Sequence, residues 1–507
     1  MHASSKTRIG GILGIVAVGA GLAVAQLLSS LKSGLNGPIV SIGNRVIDHV
    51  PGSVKKFAIQ TFGVNDKRAL VFTVFFAVLI LALLIGRSYF SGNGRRANLI
   101  VMFMTIIAVG SSIFDANAGV LSVLPSLAAG GTSILVLRLL GTRTKQKDSE
   151  DLSLNRRELF KTVGFIAVGS AGAVMAGNFF RTHASSQLQR LNILLPKALK
   201  RLPPPPTDPA LTTPGLSKLI TPNSEFYRID TALSVPNINI DTWRLQIDGM
   251  VKNPLTFTYK ELTDRPVFEL DDTISCVSNE VGGNLVGNAR WLGISLDDLI
   301  KEVSPFSSAD QVMGHSMDGF TAGFPVAALD GRGAMIAIGM NGEPLPVDHG
   351  FPARIIVPGL YGYVSATKWL TRIELTRFDR SQGYWIPRGW SALGPIKTAS
   401  RIDTPTSGGS LKPGRRAIAG IAWAPTRGIS KVEVRVNNSA WRTATLGPVL
   451  AKTTWRQWWI DWDATHGVAV ISVRATDGTG ALQSSKSVPV EPNGAEGWHT
   501  INVTVTT

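Results

Sequence analysis

A single thiol limits the chemistry open to this chain. Cys276 is the only cysteine in 507 residues, within SCVSNEVGGNLVGNARWLG. A lone cysteine excludes an internal disulfide, a CxxC redox pair, a Cys-rich zinc site, a c-type haem attachment and an iron–sulfur cluster. Three roles stay open: a nucleophile, a thiolate ligand to a soft metal, and an inert buried thiol, a common state of free cysteine. The seven histidines are His2, His49, His183, His315, His349, His466 and His499, and none lies inside a long apolar run. That placement argues against a bis-His haem held between membrane helices.

The elements that must position Cys276 fall into two halves of different composition. Five apolar segments, near 9–30, 69–90, 97–115, 118–140 and 162–180, have the length of bilayer-spanning helices. Lys6 and Arg8 precede the first segment, Arg87, Arg95 and Arg96 fill the second connection, and Arg143, Lys145, Arg156, Arg157 and Lys161 are among those filling the fourth. The short third connection, around Ala116–Gly119, has no basic residue. The positive-inside rule then places the N-terminus in the cytoplasm, and five crossings put everything after residue 181 on the extracytoplasmic side. Asn155-Arg156-Arg157-Glu158-Leu159-Phe160-Lys161 before the last apolar segment resembles an internal twin-arginine export signal; two arginines of an ordinary cytoplasmic loop are the other reading. The net charge of +16 follows from these flanking residues. No Lys/Arg stripe with interleaved aromatics marks a nucleic-acid partner.

Residues 181–221 read as a proline-rich linker, with Pro203–Pro206 as a stiff spacer. The amphipathic stretch Leu188–Leu202, with four basic residues, suits a bilayer surface. Trp243–Ile247 alternates apolar and polar before the Asp248-Gly249 turn, Ser295 is a candidate N-cap for a helix to Val303, and 354–358 and 369–375 read as buried strands. From residue 399 the pattern is short strands and turns: Lys431–Val436 with Val432, Val434 and Val436 on one face, then 455–462 and 468–475. This spacing predicts a β-sandwich of immunoglobulin type. The fold class is therefore multi-domain: transmembrane α-helices over 1–180, an α+β domain over 222–398 and an immunoglobulin-like sandwich over 399–507.

Three motifs carry a family resemblance. They are Cys276-Val-Ser-Asn279 with Gly287-Asn-Ala-Arg-Trp291, His349-Gly-Phe-Pro-Ala-Arg354-Ile-Ile-Val-Pro358 leading to Lys368-Trp369, and Arg474-Ala-Thr-Asp477 with the Trp498-His499 ending. They resemble the molybdopterin domain and the C-terminal dimerisation domain of the sulfite oxidase family. The resemblance implies a molybdenum–molybdopterin cofactor with Cys276 as metal ligand. It implies Asn223, Phe226, Tyr227 and Arg228 as a first pterin-contacting segment, and Ser316, His349, Arg354, Ser365, Thr367 and Lys368 as further cofactor contacts. Arg228 also takes a catalytic place, holding an anionic substrate. Thiolate suits a high-valent metal already bound by pterin sulfurs, and Arg354 and Lys368 are suitable donors to an anionic phosphate. Local readings stand beside these: an edge strand at 223–228, a satisfied loop histidine at His349, a solvated serine at Ser316.

Departures from the family accompany the likeness. Asp230 stands where a histidine is expected, Ser278 where the exported reductases have glutamate, and Trp390, with Tyr384 nearby, where a tyrosine is expected. The function implied is a membrane-anchored oxidoreductase of the cytoplasmic membrane, moving an oxygen atom to or from a small sulfite-, sulfoxide- or N-oxide-like substrate. A separate electron-transfer partner and a homodimer through the last domain are implied with it. The alternative is a non-catalytic binding or assembly protein that retains the fold.

Overall fold

The computed structural model describes residues 2–31, 35–51, 54, 57, 61–62, 66–115, 118–145, 152–183, 186–206, 213–233 and 235–506. Parts of the expected connections and linker, at 116–117, 146–151, 184–185 and 207–212, lie outside the described residues. The chain divides into two compact units, one of residues 1–188 with 231–239, the other of 189–230 with 240–507.

The first unit is helical: α1 (His2–Ser30), α2 (Pro38–His49), α3 (Asp66–Phe90), α4 (Gly94–Ile113), α5 (Leu124–Lys145) and α6 (Leu152–His183). Helices α3, α4 and α5 leave large apolar side chains such as Phe72, Phe103 and Leu135 exposed. Gly14 of α1 and Gly86 of α3 let their backbones meet: a Cβ on Gly14 would lie 2.1 Å from the Ala82 carbonyl oxygen. The amphipathic α2 was not legible in the sequence. Asp115 ties it down, accepting from Ser41 Oγ at 2.7 Å, Asn36 Nδ2 at 3.0 Å and Asn44 Nδ2 at 3.2 Å. Residues 231–239 belong to this unit. Lys67 Nζ donates to the Ala232 carbonyl at 2.8 Å, and Ser186 Oγ accepts from Ile238 N at 2.7 Å.

Among the described residues, four stretches are long and apolar enough to cross a bilayer: Ile9–Ser30, Ala69–Phe90, Gly94–Ile113 and Val120–Thr142. They are compatible with membrane anchoring. The expected fifth span, 162–180, falls within the continuous helix α6, and Lys161–Gly177 is its apolar part among the described residues.

The second unit holds four sheets. One runs β2 (Leu255–Thr258), β1 (Arg244–Gly249), β10 (Leu370–Thr376), β5 (Gln311–Ser316), β6 (Thr321–Pro325), with β1 parallel to β10 and the other pairs antiparallel. Another runs β3 (Val267–Ser275), β4 (Val286–Ser295), β7 (Met335–Met340), β8 (Glu343–Pro344), with β9 (Arg354–Ile356) also on β7. The helix α7 (Leu296–Val303) begins where expected, Ser295 Oγ accepting from Asp298 N at 3.2 Å. The stretch 188–202 does not form the surface helix its pattern suggests. Beyond residue 192 it is extended, and Leu199 N donates to Val267 O at 2.9 Å on the edge of β3.

The C-terminal part is two sheets around one core. The first is β11 (Ala399–Thr404), β13 (Gly414–Trp423), β17 (Arg456–Ala464) and β16 (Thr445–Leu446). The second is β12 (Ser410–Leu411), β19 (His499–Val505), β18 (Gly467–Asp477), β14 (Ile429–Val436) and β15 (Arg442–Thr443). Val432 and Val434 of β14 meet Trp458 and Ile460 of β17 in that core, with Val436 packed against it. Trp458 and Trp462 lie in that core, Trp459 is half-buried, and Trp455 is buried outside it with its indole donating to Leu219 O at 2.9 Å.

Candidate cofactor site

The β3–β4 ladder extends to Ser275 opposite Val286, so Cys276 opens the connecting loop. Cys276 N donates to Leu285 O at 2.9 Å, closing its base. Asn279 braces it from inside, its N–H reaching Cys276 O at 3.1 Å and its Oδ1 accepting from Leu285 N at 2.8 Å. From the C-terminal part, Arg401 Nη1 donates to Gly283 O at 2.8 Å. Gly282 sits at φ +80°, and a Cβ there would lie 2.3 Å from the His499 ring. The Cys276 thiol is buried, and burial pushes its pKa up despite hydrogen bonds from Ser278 N–H and hydroxyl. A buried thiol of this kind is a poor free nucleophile; it ionises when a metal cation replaces the proton.

The segment 223–228 lies against β4, β7 and the 347–354 turn. Phe226 stacks on Tyr227 at 5.4 Å and meets the rings of Trp291 at 5.9 Å and His349 at 5.5 Å edge-on. The Tyr227 phenol is held in its protonated form, its pKa raised by burial and by Cys276, with Arg354 opposing. The side chain of Asn223 is engaged locally: Oδ1 accepts from Asn341 Nδ2 at 2.8 Å and Nδ2 donates to Met340 O at 3.3 Å. Its backbone oxygen faces His349 Nε2 at 3.2 Å.

Arg354 opens β9 and is buried, with Nη1 donating to His349 O at 3.0 Å and its guanidinium 5.1 Å from the Trp291 ring. Burial lowers its pKa to about 10. Burial, with Arg354 and Lys368 beside it, pushes His349 down to about 4, so the imidazole is neutral at pH 7. Thr367 O accepts from Ile355 N at 3.0 Å, which sets Thr367 beside the Arg354 strand. Lys368 Nζ donates to Asp230 Oδ2 at 2.9 Å and Asp348 O at 3.1 Å. Burial draws its pKa down to about 8, with Asp230 opposing. Arg228 also meets Asp230, Nε to Oδ2 at 2.8 Å, and reaches Asp348 Oδ1 at 3.1 Å.

The structure thus gathers Asn223, Phe226, Tyr227, Arg228, His349, Arg354, Thr367 and Lys368 around the turn that follows β8, with Tyr227 in electrostatic reach of Cys276. Ser316 and Ser365 are less directly engaged. Ser316 Oγ accepts from Asp318 N at 3.4 Å, while Ser365 Oγ donates to Tyr361 O at 3.0 Å. Ser365 ends α8 (Gly362–Ser365), which packs beside β3: a Cβ on Gly362 would lie 3.9 Å from Ser275 O. Trp390 packs on Tyr363 at 5.9 Å and Trp385 at 6.4 Å; Tyr384 packs on Phe320 at 5.9 Å. The sequence reading missed Asp348 as an ion-pair partner and the indole of Trp291, although Trp291 stood inside one motif and Asp348 immediately before another.

Whether these residues suit a large anionic cofactor is tested by their unused polar atoms. Arg354 Nε, Thr367 Oγ1 and Trp291 Nε1 are buried with no hydrogen-bond partner. Such orphans are costly in a finished core. Two N–H donors and a hydroxyl beside a buried guanidinium and ammonium fit an acceptor-rich phosphate and pterin.

Residues 232–385 match the family described as "Oxidoreductase molybdopterin binding domain". Human mitochondrial sulfite oxidase is 26% identical over 339 residues, 56% of this chain and 62% of that protein. The Drosophila melanogaster enzyme is 30% identical over 51% of this chain and 52% of its own length. The chain spans less than two thirds of the length of these relatives. An uncharacterized oxidoreductase of Bacillus subtilis, YuiH, is 31% identical over 152 residues, 30% of this chain and 74% of that protein. Among solved structures, the sulfane dehydrogenase SoxCD of Paracoccus pantotrophus shares the fold, with TM-score 0.51 and 21% identity over 58% of this chain and 85% of that chain.

Proposed function

This chain belongs to the sulfite oxidase family of molybdenum-dependent oxidoreductases, and from that premise we propose that it transfers an oxygen atom to or from a small substrate. The observation that supports the reading most is the set of buried, unpartnered polar atoms, Arg354 Nε, Thr367 Oγ1 and Trp291 Nε1, beside His349 and Lys368. When bound, the molybdenum–molybdopterin group supplies the two-electron oxygen-atom chemistry. Cys276 gives its sulfur to the metal, and the Ser278 N–H and hydroxyl donate to that sulfur. Arg354, Thr367, Lys368 and neutral His349 hold the anionic end of the cofactor. Tyr227 keeps its proton and offers an O–H donor near Cys276. The rings of Phe226 and Trp291, packed edge-on, keep water from the buried ions, which strengthens each contact.

The rest of the assignment follows the chain outward. Helices α1, α3, α4 and α5 anchor the protein in the cytoplasmic membrane as a multi-pass chain. Helix α6 decides sidedness as a fifth crossing: its apolar part among the described residues, Lys161–Gly177, by itself covers about 25 Å at 1.5 Å per residue, within a helix that runs from Leu152 to His183. That crossing puts the cofactor domain, 222–398, and the immunoglobulin-like domain, 399–507, on the extracytoplasmic side. A separate carrier exchanges electrons with the site, and the last domain forms the homodimer.

The test is replacement of Cys276 by Ala with metal and pterin measured in purified full-length protein. Molybdenum is expected to fall to background while the helical and sheet circular-dichroism signals persist. Unchanged molybdenum content would overturn the assignment.

A further inference from the structure

We infer that the Asp272 carboxyl is a further cofactor contact of this site, a neutral acid that pairs with the edge of the pterin ring. The inference deepens the cofactor assignment just made and rests on it. Its basis is the face of the β3–β4 ladder on which Asp272 stands. Directly opposed residues of an antiparallel pair share a face, and along a strand that face recurs at every second residue. Leu270 opposes Trp291, Asp272 opposes Ala289 and Ile274 opposes Gly287. These six therefore lie on one face, and Cys276 follows next in the alternation. The same face receives the 223–228 segment and Arg354. A Cβ on Gly287 would lie 2.6 Å from the Phe226 ring, and Trp291 meets the Phe226 ring at 5.9 Å and the Arg354 guanidinium at 5.1 Å. Asp272 thus stands between the thiol that takes the metal, roughly 13 Å along the strand, and the arginine at the cofactor's anionic end. Tyr227 is in electrostatic reach of Cys276, Arg354 and Asp272 together.

Asp272 is 1% exposed, and its Oδ1 has no hydrogen-bond partner. Its neighbours on the opposite face are fully engaged. Asp271 holds Arg290 Nη2 at 2.8 Å, and Thr273 Oγ1 donates to Asn288 Oδ1 at 3.0 Å while accepting from Trp455 N at 2.7 Å. Across the ladder from Asp272, the Ala289 methyl offers nothing polar. An ionised carboxylate without a cation is too costly to bury. Burial accordingly raises the Asp272 pKa well above the usual carboxylate range, against the Thr273 N–H. A neutral carboxyl carries one O–H donor beside one carbonyl acceptor. The edge of a pterin ring presents the complementary pair, a nitrogen or carbonyl acceptor beside an N–H. Arg354, a cation, suits the phosphate instead.

The experiment follows the loss of molybdenum and pterin from purified full-length protein on dilution at neutral pH, with thermal unfolding of the cofactor-free protein beside it. Asp272→Val keeps the size and suits a strand but removes both polar atoms; it should lose cofactor about 10-fold faster than wild type. Without cofactor the same variant should be at least as stable as wild type, because it deletes a buried polar atom that has no partner. Asp272→Asn keeps a donor beside an acceptor and should hold cofactor within ~3-fold of wild type. Isotope-edited infrared spectroscopy of the wild type should show a protonated aspartate carbonyl band, absent from Asp272→Asn, that shifts when cofactor is lost. Wild-type retention by Asp272→Val leaves a buried water as the partner of Asp272 and overturns the inference. A cofactor-free Asp272→Val protein of reduced stability shows a structural role and overturns it too, as does loss from Asp272→Asn as fast as from Asp272→Val, or an infrared band that is ionised or indifferent to cofactor. Wild-type protein that takes up neither molybdenum nor pterin overturns the cofactor assignment itself, and this contact with it.

Discussion

Gly282→Ala tests whether the C-terminal sheets hold the loop that presents Cys276. Two costs combine at this position. The backbone sits at φ +80°, where an L-residue with a Cβ is disfavoured by about 1–2 kcal/mol. The new methyl would lie 2.3 Å from His499 Cδ2 and Nε2, so the ring or the loop must retreat by about 1 Å to reach ordinary contact. The ring cannot swing freely, because His499 Nδ1 accepts from Ile402 N at 2.9 Å; overpacking of this kind costs about 1–3 kcal/mol. The sum, about 2–5 kcal/mol, corresponds to a drop in Tm of roughly 4–10 °C for a unit of this size. The loop is closed at its base by Cys276 N and Leu285 O, so the displacement should also reduce molybdenum retention. Tryptophan fluorescence on heating and metal analysis of detergent-solubilised protein read the two effects. The double variant Gly282→Ala/His499→Ala removes the overlap and keeps the φ strain. It should therefore show coupling of about 1–3 kcal/mol between the two sites. Strict additivity, or a Gly282→Ala protein with wild-type Tm and metal content, refutes the reasoning.

Three other outcomes are expected. His349, with its pKa held at about 4 by burial, Arg354 and Lys368, stays neutral as the unfolded chain takes up a proton below pH 6.5. Cofactor-free protein should therefore lose about 3 kcal/mol from this group between pH 6.5 and 4, a slope that denaturant titrations should find reduced in His349→Gln. Arg290→Met strands the Asp271 carboxylate, which is 2% exposed and 2.8 Å from Arg290 Nη2; a loss of about 3–5 kcal/mol is expected, largely recovered by Asp271→Leu in the same chain. For Asp477, burial pushes the pKa up but hydrogen bonds from Thr479 and Arg427 outweigh it, leaving about 2. Its stabilisation is full above pH 3.8 and fades as pH falls towards 2, so Asp477→Asn should cost about 2 kcal/mol at pH 7 and almost nothing at pH 2.

What the sequence made legible was local. The alternation of Val432, Val434 and Val436 became β14 with its face in the sandwich core, and Ser295 became the N-cap of α7, because period and cap are properties of neighbours along the chain. The Cys276 loop and the His349–Arg354 turn both neighbour the 223–228 segment, through Tyr227 and Phe226. Long-range pairing was not legible. β1 lies parallel to β10 with Gln246 opposite Arg372, a register no local pattern announces. Residues 188–202 carry a helical apolar period, yet Pro196 and the following prolines withdraw the backbone donors a helix needs, and the stretch instead lies on the edge of β3. Asp230 was noticed as a substitution, but one of its two ion pairs depends on Lys368, 138 residues away.

The return of residues 231–239 to the helical unit has a consequence for proteolysis. The chain passes between the two units at 188/189, 230/231 and 239/240. One nick in the stretch before residue 231 severs a covalent path but leaves Ala232 bonded to Lys67 and Ile238 bonded to Ser186. A nicked molecule should therefore stay assembled under native conditions and separate only when this short strap is drawn out. Single-site cleavage therefore leaves the second unit tethered, and with the strap left in place a cut at each of the three crossings is the minimum for clean release.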